Sequence, residues 1–323
     1  LLVLVAMALW LTGARNVYLA IGGGPAGSET LALVKAAAEV LNKHNRGLVL
    51  AVYETGGSAQ NLHLLESGRV DLATMQADMP RPDGVLGVAT LYHDAYHLIA
   101  RDDAGIESFA DLPGQRIAIP SPSSGQYNSF WFLARHYGIS RESLNAQSMS
   151  EGAANFAMEQ GQVDAVFRVR APGNAGISGL IGDHPLRLVP VDQSEALALK
   201  QPAISPGVVP MGSYRGSPPL PASDMPTAVL KRLLVTRGDI DPNLVYRITR
   251  GLFDYRSEII ERSRLAGFIQ PLPEDAAGVI PAHPGARSYY DREKPGIVQQ
   301  NARLFSALLS AFAVVVSGLL ALR

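Results

Sequence analysis

The feature that most narrows what this chain can fold into is an alternation. Short β-forming runs each end in a turn of small residues and pass into a segment with helical apolar spacing. VYLAI (17–21) precedes GGGPAGS and then a helical segment from Glu29 to Asn45, where Leu31, Val34, Ala38 and Leu41 share one face. LVLAVY (48–53) leads into TGGS and a short helix ending at Glu66, VDLATM (70–75) leads into Gln76-Ala77-Asp78, and ATLYHDAYHLIAR (89–101) reads as extended chain. A second set follows: RIAI (116–119), the turn PSPSSG, a helix from Gln126 to Tyr137, a helix at Glu151–Gln160, VDAVF (163–167) running into RVRAPGN, and LRLVP (186–190). After the Pro/Gly-rich stretch 202–221, TAVLKRLLVTR (227–237) reads as strand. Asp241 to Ser263 reads as one long amphipathic helix, capped by Asp239 or Asp241 with Pro242 in its first turn. Such an order specifies an α/β protein with mainly parallel sheets, whose ligands bind beyond the carboxyl ends of the strands.

At 323 residues the chain has material for about two domains. Lys plus Arg (28) nearly cancels Asp plus Glu (29), which gives no electrostatic reason to expect nucleic acid. Cysteine is absent, which excludes thiolate catalysis and Cys-based metal sites. The ends are apolar. Leu1 to Thr12 is an uncharged run with no A-x-A cleavage site after it, and is expected to be a signal or, by preference, a retained membrane anchor over residues 1–15. Leu304 to Leu322 is uncharged throughout, shows no polar stripe and is about long enough to span a bilayer, so a C-terminal transmembrane helix is expected at 304–322. The block between them should then lie on one side of the membrane.

The motif TGGSAQNLHLLESGRVDLATMQAD (55–78) resembles the signature of the TAXI-type solute-binding proteins of tripartite (TRAP) transporters. GIESFADLPGQRIAIPSPSSGQ (105–126), GQVDAVF (161–167), LLVTRGDIDPNLVYRITRGLF (233–253) and IPAHPGARSYYDREKPG (280–296) are similar to the same family in the same order. The resemblance implies a two-lobe periplasmic-binding-protein type II-like fold that closes on a small solute, often an amino acid or other carboxylate, and passes it to a membrane permease. Lobe 1 is expected at 16–101 plus 222–300 and lobe 2 at 102–221. The chain departs from soluble members in its C-terminal span, and in carrying Arg168 and Arg170 in a turn where smaller or apolar residues are expected.

A buried anion needs donors already fixed in place. Helix N-termini supply unpaired N–H groups and glycines admit a ligand close to the backbone. The turns carrying Gly24 and Ser28, Thr55, Gly57 and Ser58, and Ser123, Ser124, Gly125 and Gln126 all precede helical segments, with Asn61, Gln76 and Asp78 close by in sequence. For any single hydroxyl, capping its own helix is the commoner role, and the two roles are compatible. Arg168 and Arg170 flank Val169, so continued strand geometry aims both at one face, where a guanidinium fork suits a carboxylate. The alternatives for them are a solvated loop or a salt bridge between lobes, for example to Asp78. Tyr214 is a weaker candidate to line the cleft, with packing the commoner role for such an aromatic.

Enzymatic readings fit less well. Gly22, Gly24 and Gly27 spell G-x-G-x-x-G, but the acid Glu54 comes too late for a dinucleotide fingerprint and no catalytic constellation accompanies it. There is no G-x-S-x-G elbow. His93 and His97 are four apart in a stretch read as extended, so no metal or other cofactor is expected, and His283 is expected to be structural. The expected function is extracytoplasmic binding of a small carboxylate-bearing solute, with a permease as partner. The rival is the ligand-sensing domain of a membrane receptor with a signalling partner.

Overall fold

The computed structural model describes residues 16–182, 184–273 and 280–294. Both apolar ends, 1–15 and 304–322, lie outside the described residues, so the expected anchor and span do too. Among the described residues no helix is long and apolar enough to cross a membrane.

The first half runs β1 (Val17–Gly24), α1 (Glu29–His44), β2 (Leu48–Glu54), α2 (Ser58–Glu66), β3 (Leu72–Gln76) and the long β4 (Val85–Arg101). It continues through β5 (Arg116–Ile119), α3 (Gly125–His136), β6 (Asn145–Ser148), α4 (Glu151–Glu159), β7 (Ala165–Arg170), α5 (Ala175–Gly182), β8 (Leu186–Val189) and α6 (Ser194–Lys200). β9 (Ile204–Val209), a small hairpin of β10 (Arg215–Gly216) and β11 (Pro219–Leu220), and the long β12 (Met225–Arg237) follow. The described chain ends with α7 (Pro242–Asp254), α8 (Arg256–Arg262) and α9 (Pro284–Tyr290).

The principal sheet has the order β2-β1-β3-β12-β4-β7-β5-β6, with β8 added to β4 and β9 to β12. β1 pairs in parallel with β2 and β3, and β5 in parallel with β6 and β7. The middle is antiparallel: β12 opposes β3, β4 and β9, and β4 opposes β7 and β8. The sheet is therefore mixed rather than mainly parallel. Parallel pairs sit inside each half as βαβ units, whereas β4 and β12 carry the chain from one half to the other and back, and so meet their neighbours head to tail.

Helices cover both faces of each half. α1 and α7 bury Leu33, Val34, Leu41, Val245, Ile248 and Leu252 over one face of the first half, and α2 buries Leu62 and Leu65 over the other. In the second half, α3 brings Phe130 and Leu133 to a cluster with Phe109 and Phe167, while α4 and α5 bury Met158, Ile177 and Leu180 on the opposite face. β4 contributes Leu91 and Tyr92 to the first core and Tyr96 and Leu98 to the second.

Two local expectations change. The helix expected over 241–263 breaks at Tyr255, which ends α7 and begins α8 at φ −104°, ψ 19°. Its ring stacks on His44 of α1 with centroids 3.9 Å apart, so tertiary packing turns the chain where helical periodicity alone would continue it. RVR is also not in a turn: β7 runs through Arg170, because Ala95 to Ala100 of β4 hold it in register. Asp241 is the cap at the start of α7, its side chain accepting from the Asn243 amide.

Candidate ligand site

The small-residue turns converge. Gly24 to Ser28 opens α1, Gly57 opens α2 and Ser124 opens α3. Gly24 and Gly57 have φ of +131° and +116°, a region where side chains are strained, so these turns need glycine. A Cβ on Gly57 would stand 3.3 Å from Ser124 Cα, which shows how closely the α2 and α3 starts approach. Ser28 Oγ accepts from Leu31 N at 3.2 Å and Ser124 Oγ from Gln126 N at 3.3 Å, so both cap their own helices while facing the shared space.

That space has two parts. The outer cavity, about 570 Å³, lies between Thr55 and Gly56 on the first half and Ser123, Ser124, Gln126, Glu151, Arg168 and Arg170 on the second. Behind it is a chamber of about 20 Å³, room for about one water-sized group. Pro25, Ser124, Gln126 and Arg170 line both parts. The chamber is completed by Gly24, Ser28, Gly57, Ser58, Gln76 and Arg232, among others.

Gln76 is the informative side chain here. It is wholly buried at the end of β3, yet neither Nε2 nor Oε1 has a hydrogen-bond partner among the described residues. A buried amide left unpaired on both atoms costs free energy and calls for an explanation. Arg232 of β12 stands beside it: Nη1 donates to Ser58 Oγ at 3.2 Å, Nη2 lies 2.6 Å from Asp94 Oδ2, and Nε has no partner among the described residues. Gly125 is small for a reason, since a Cβ there would come within 2.4 Å of Gln76 Oε1.

Arg168 and Arg170 are both buried and both line the outer cavity, but neither guanidinium is free. Arg170 Nη2 donates to Glu151 Oε2, and its Nε lies 3.9 Å from Glu29 Oε2. Arg168 Nη1 lies 3.5 Å from the same Glu151 oxygen, while Nη2 donates to Asn155 Oδ1 at 2.5 Å and to the Glu151 carbonyl at 3.2 Å. Both guanidiniums are thus ion-paired, as the salt-bridge alternative has it, with Glu151 and Glu29 as the acids. Asp78 is not the partner of either; it accepts from Ser129 at 2.6 Å and Tyr96 at 3.1 Å.

Burial governs the ionisation of this network. It pushes the Glu29 and Asp94 carboxyls up, against the pull of Arg170 on the first and Arg232 on the second. Burial likewise raises Asp78, opposed by its two hydroxyl donors. Burial works to raise Glu151 as well, but Arg170 and Arg168 overcome it and hold the carboxyl below its ordinary value. Arg168 is pushed down to about 10 by burial, which the attraction of Glu151 only partly offsets and the repulsion of Arg170 reinforces. Arg170 moves the other way, since Glu151 and Glu29 together outweigh its burial.

The remaining sequence candidates divide by position. Thr55 and Ser123 face the outer cavity; Gly24, Ser28, Gly57, Ser58 and Gln76 face the chamber; and Ser124, Gln126 and Arg170 face both. Gln126 Oε1 also accepts from Val169 N at 2.7 Å, fixing α3 to β7. Asn61 lies outside both spaces. It accepts from Thr55 Oγ1 at 2.6 Å and donates to the carbonyls of Gly22 and Thr74, tying α2 to β1 and β3. Tyr214 is apart from them too, its hydroxyl 2.5 Å from His97 Nε2. His283 accepts from the Gly285 amide and caps α9. Among the described residues no group of His, Cys, Asp and Glu could hold a metal ion.

Sequence reasoning passed over Glu29, Asp94, Glu151 and Arg232. Asp94 and Arg232 did leave a signal, being charged residues inside long strands that are otherwise largely apolar. Glu29 and Glu151 did not, because an acid in the first turn of a helix reads simply as a complement to the helix dipole.

Solved structures share this architecture. The alkanesulfonate-binding protein SsuA from Xanthomonas axonopodis pv. citri bound to MOPS matches with a TM-score of 0.50 and 16% identity, over 80% of this chain and 88% of that one. A putative L-cystine ABC transporter protein from Listeria monocytogenes matches at 0.51 and 12% identity, over 78% and 98%. XAC2383 from Xanthomonas citri bound to chloride ion matches at 0.54 and 13% identity, over 85% and 99%. At these identities the likeness establishes the two-lobe periplasmic-binding-protein-like fold and nothing finer. A family model covers residues 21–294, and on that match the chain belongs to the NMT1-like family.

Proposed function

We propose that this protein is an extracytoplasmic solute receptor that holds a small acid-bearing molecule between its lobes, with lobe 1 at 16–101 plus 222–300 and lobe 2 at 102–221. The observation that carries the reading is the Gln76 amide beside the Arg232 Nε, neither with a hydrogen-bond partner among the described residues, in the chamber that adjoins the 570 Å³ cavity. An amide offering a donor and an acceptor, next to a guanidinium and three helix N-termini, complements one oxygen of an acid group, whose other oxygen would lie against Arg170 on the wall that chamber and cavity share. The outer cavity, walled partly by Pro25, Ile119, Met149 and Phe167, would take the rest of the molecule. Amino acids and organic acids fit this description. Delivery to a TRAP-type permease is supported by the motif similarity at 55–78 and 105–126.

The test is a stability screen of the purified chain against amino acids, organic acids and neutral sugars. A true ligand at 100 times its dissociation constant adds about 2.7 kcal/mol. Gln76→Met should then lose at least about tenfold in affinity for the hit, while the ligand-free protein becomes no less stable, since a buried unpaired amide is removed. A hit bound equally well by Gln76→Met would overturn the site, and a screen answering only to sugars would overturn the ligand class.

A further inference from the structure

We infer that Glu151 is a built-in stand-in for the ligand's acid group, which an incoming anion must displace from Arg168 and Arg170. This rests on the solute-receptor reading above and names the residue that sets which anions the receptor accepts.

The geometry is that of a bound carboxylate. One oxygen of Glu151 is shared by Nη2 of Arg170 and, at 3.5 Å, Nη1 of Arg168, from the wall of the cavity itself. The other donors identified on these guanidiniums face fixed acceptors: Arg168 Nη2 donates to Asn155 and the Glu151 carbonyl, Arg170 Nη1 donates to the Val169 carbonyl, and Arg170 Nε lies 3.9 Å from Glu29, which the Ala171 amide and Asn174 hold in place. Glu151 is therefore the acceptor that can be exchanged. Its backbone is anchored, because it is the first residue of α4 behind the Ser150 cap, which accepts from Ala153 N. Its side chain is 34% exposed, against 6% and 10% for the two arginines, so the carboxylate can turn into the cavity while the guanidiniums stay.

A resident counter-ion is also needed. Two guanidiniums buried two positions apart on a strand repel each other, and without Glu151 only Glu29, beside Arg170, would offset their charge. The consequence is selection. Anion binding is an exchange, so its strength is the difference between the ligand's acid group and Glu151. Neutral solutes gain nothing from the arginines. The displaced carboxylate remains in the cavity, where it penalises a second negative charge on the ligand.

The experiment uses inorganic sulfate as the probe on the wild-type chain, Glu151→Gln and Glu151→Ala, at constant ionic strength and with thermal midpoint as readout. The probe concentration for half-maximal stabilisation should fall at least about tenfold in both variants, the ratio one charge-assisted hydrogen bond carries. Glu151→Ala, which removes the carboxylate the two arginines share and leaves Glu29 as the acid beside Arg170, should start less stable and recover when sulfate is added. A Glu151→Ala protein that folds only with sulfate present would support the idea equally. Equal probe concentrations for the wild type and Glu151→Gln would sink it, as would weaker binding by that variant. The two readings fail separately. A solute screen that finds a ligand, with no anion gain in the variants, removes the role of Glu151 alone. An empty screen with the anion gain present removes the receptor reading.

Discussion

Buried charge gives the sharpest expectations at the residue scale. Arg232 and Asp94 are ion-paired at 2.6 Å, with side chains 8% and 1% exposed. Arg232→Met should cost about 3–5 kcal/mol in denaturant unfolding, because it strands Asp94, and adding Asp94→Asn should recover much of that loss. A double variant no more stable than the single one would show that the guanidinium stabilises through Ser58 instead. His97 supplies a pH dependence. Burial lowers its imidazole to about 3, so it is neutral in the folded protein at neutral pH, whereas the unfolded chain protonates near its ordinary value of 6.5. A depressed folded value means stability is fully present above about 6.5 and drains away as pH falls toward 3, by up to about 1.4 kcal/mol per pH unit. His97→Gln should flatten that slope between pH 6.5 and 4.5, which urea melts at several pH values would reveal.

Helix crossings at the element scale depend on missing side chains. Gly285 in α9 lies against α7 so closely that a Cβ would come within 2.1 Å of the Pro242 carbonyl oxygen, and one on Gly251 in α7 within 2.7 Å of Leu41 Cγ in α1. Gly285→Ala meets backbone and should cost at least about 1–3 kcal/mol, whereas Gly251→Ala meets a side chain that can rotate and should cost less. Thermal melts of the two variants check the order. The elements themselves were well marked in the sequence where periodicity and punctuation agree: α2, α3 and α4 begin and end within a residue or two of their Gly and Ser signals. The break at Tyr255 was hidden, because what causes it is a ring on α1 more than two hundred residues away. α5 was missed because three glycines in eight residues mask a helix that forms against its neighbours. The site divides in the same way. Its turns could be read locally, but the partners of Arg168 and Arg170 could not, since Glu29 and Glu151 reach them only after folding.

The two halves of the whole molecule are already in contact across the cleft. Glu29 of α1 accepts from the Ala171 amide at 2.9 Å and from Asn174 Nδ2, and the Gln60 amide donates to the Ser123 carbonyl at 3.2 Å. Glu29→Ala should loosen this closure and enlarge the ligand-free particle in small-angle scattering, with ligand restoring the wild-type dimensions. Unchanged scattering would place closure under the control of other contacts. The strands that join the halves set a further limit. Because β4 and β12 each serve both cores, neither half owns a complete sheet, and cutting the chain at the lobe boundaries should leave fragments unable to fold by themselves. Mixing separately expressed pieces would be needed to regain structure, and intact protein should melt in one cooperative step.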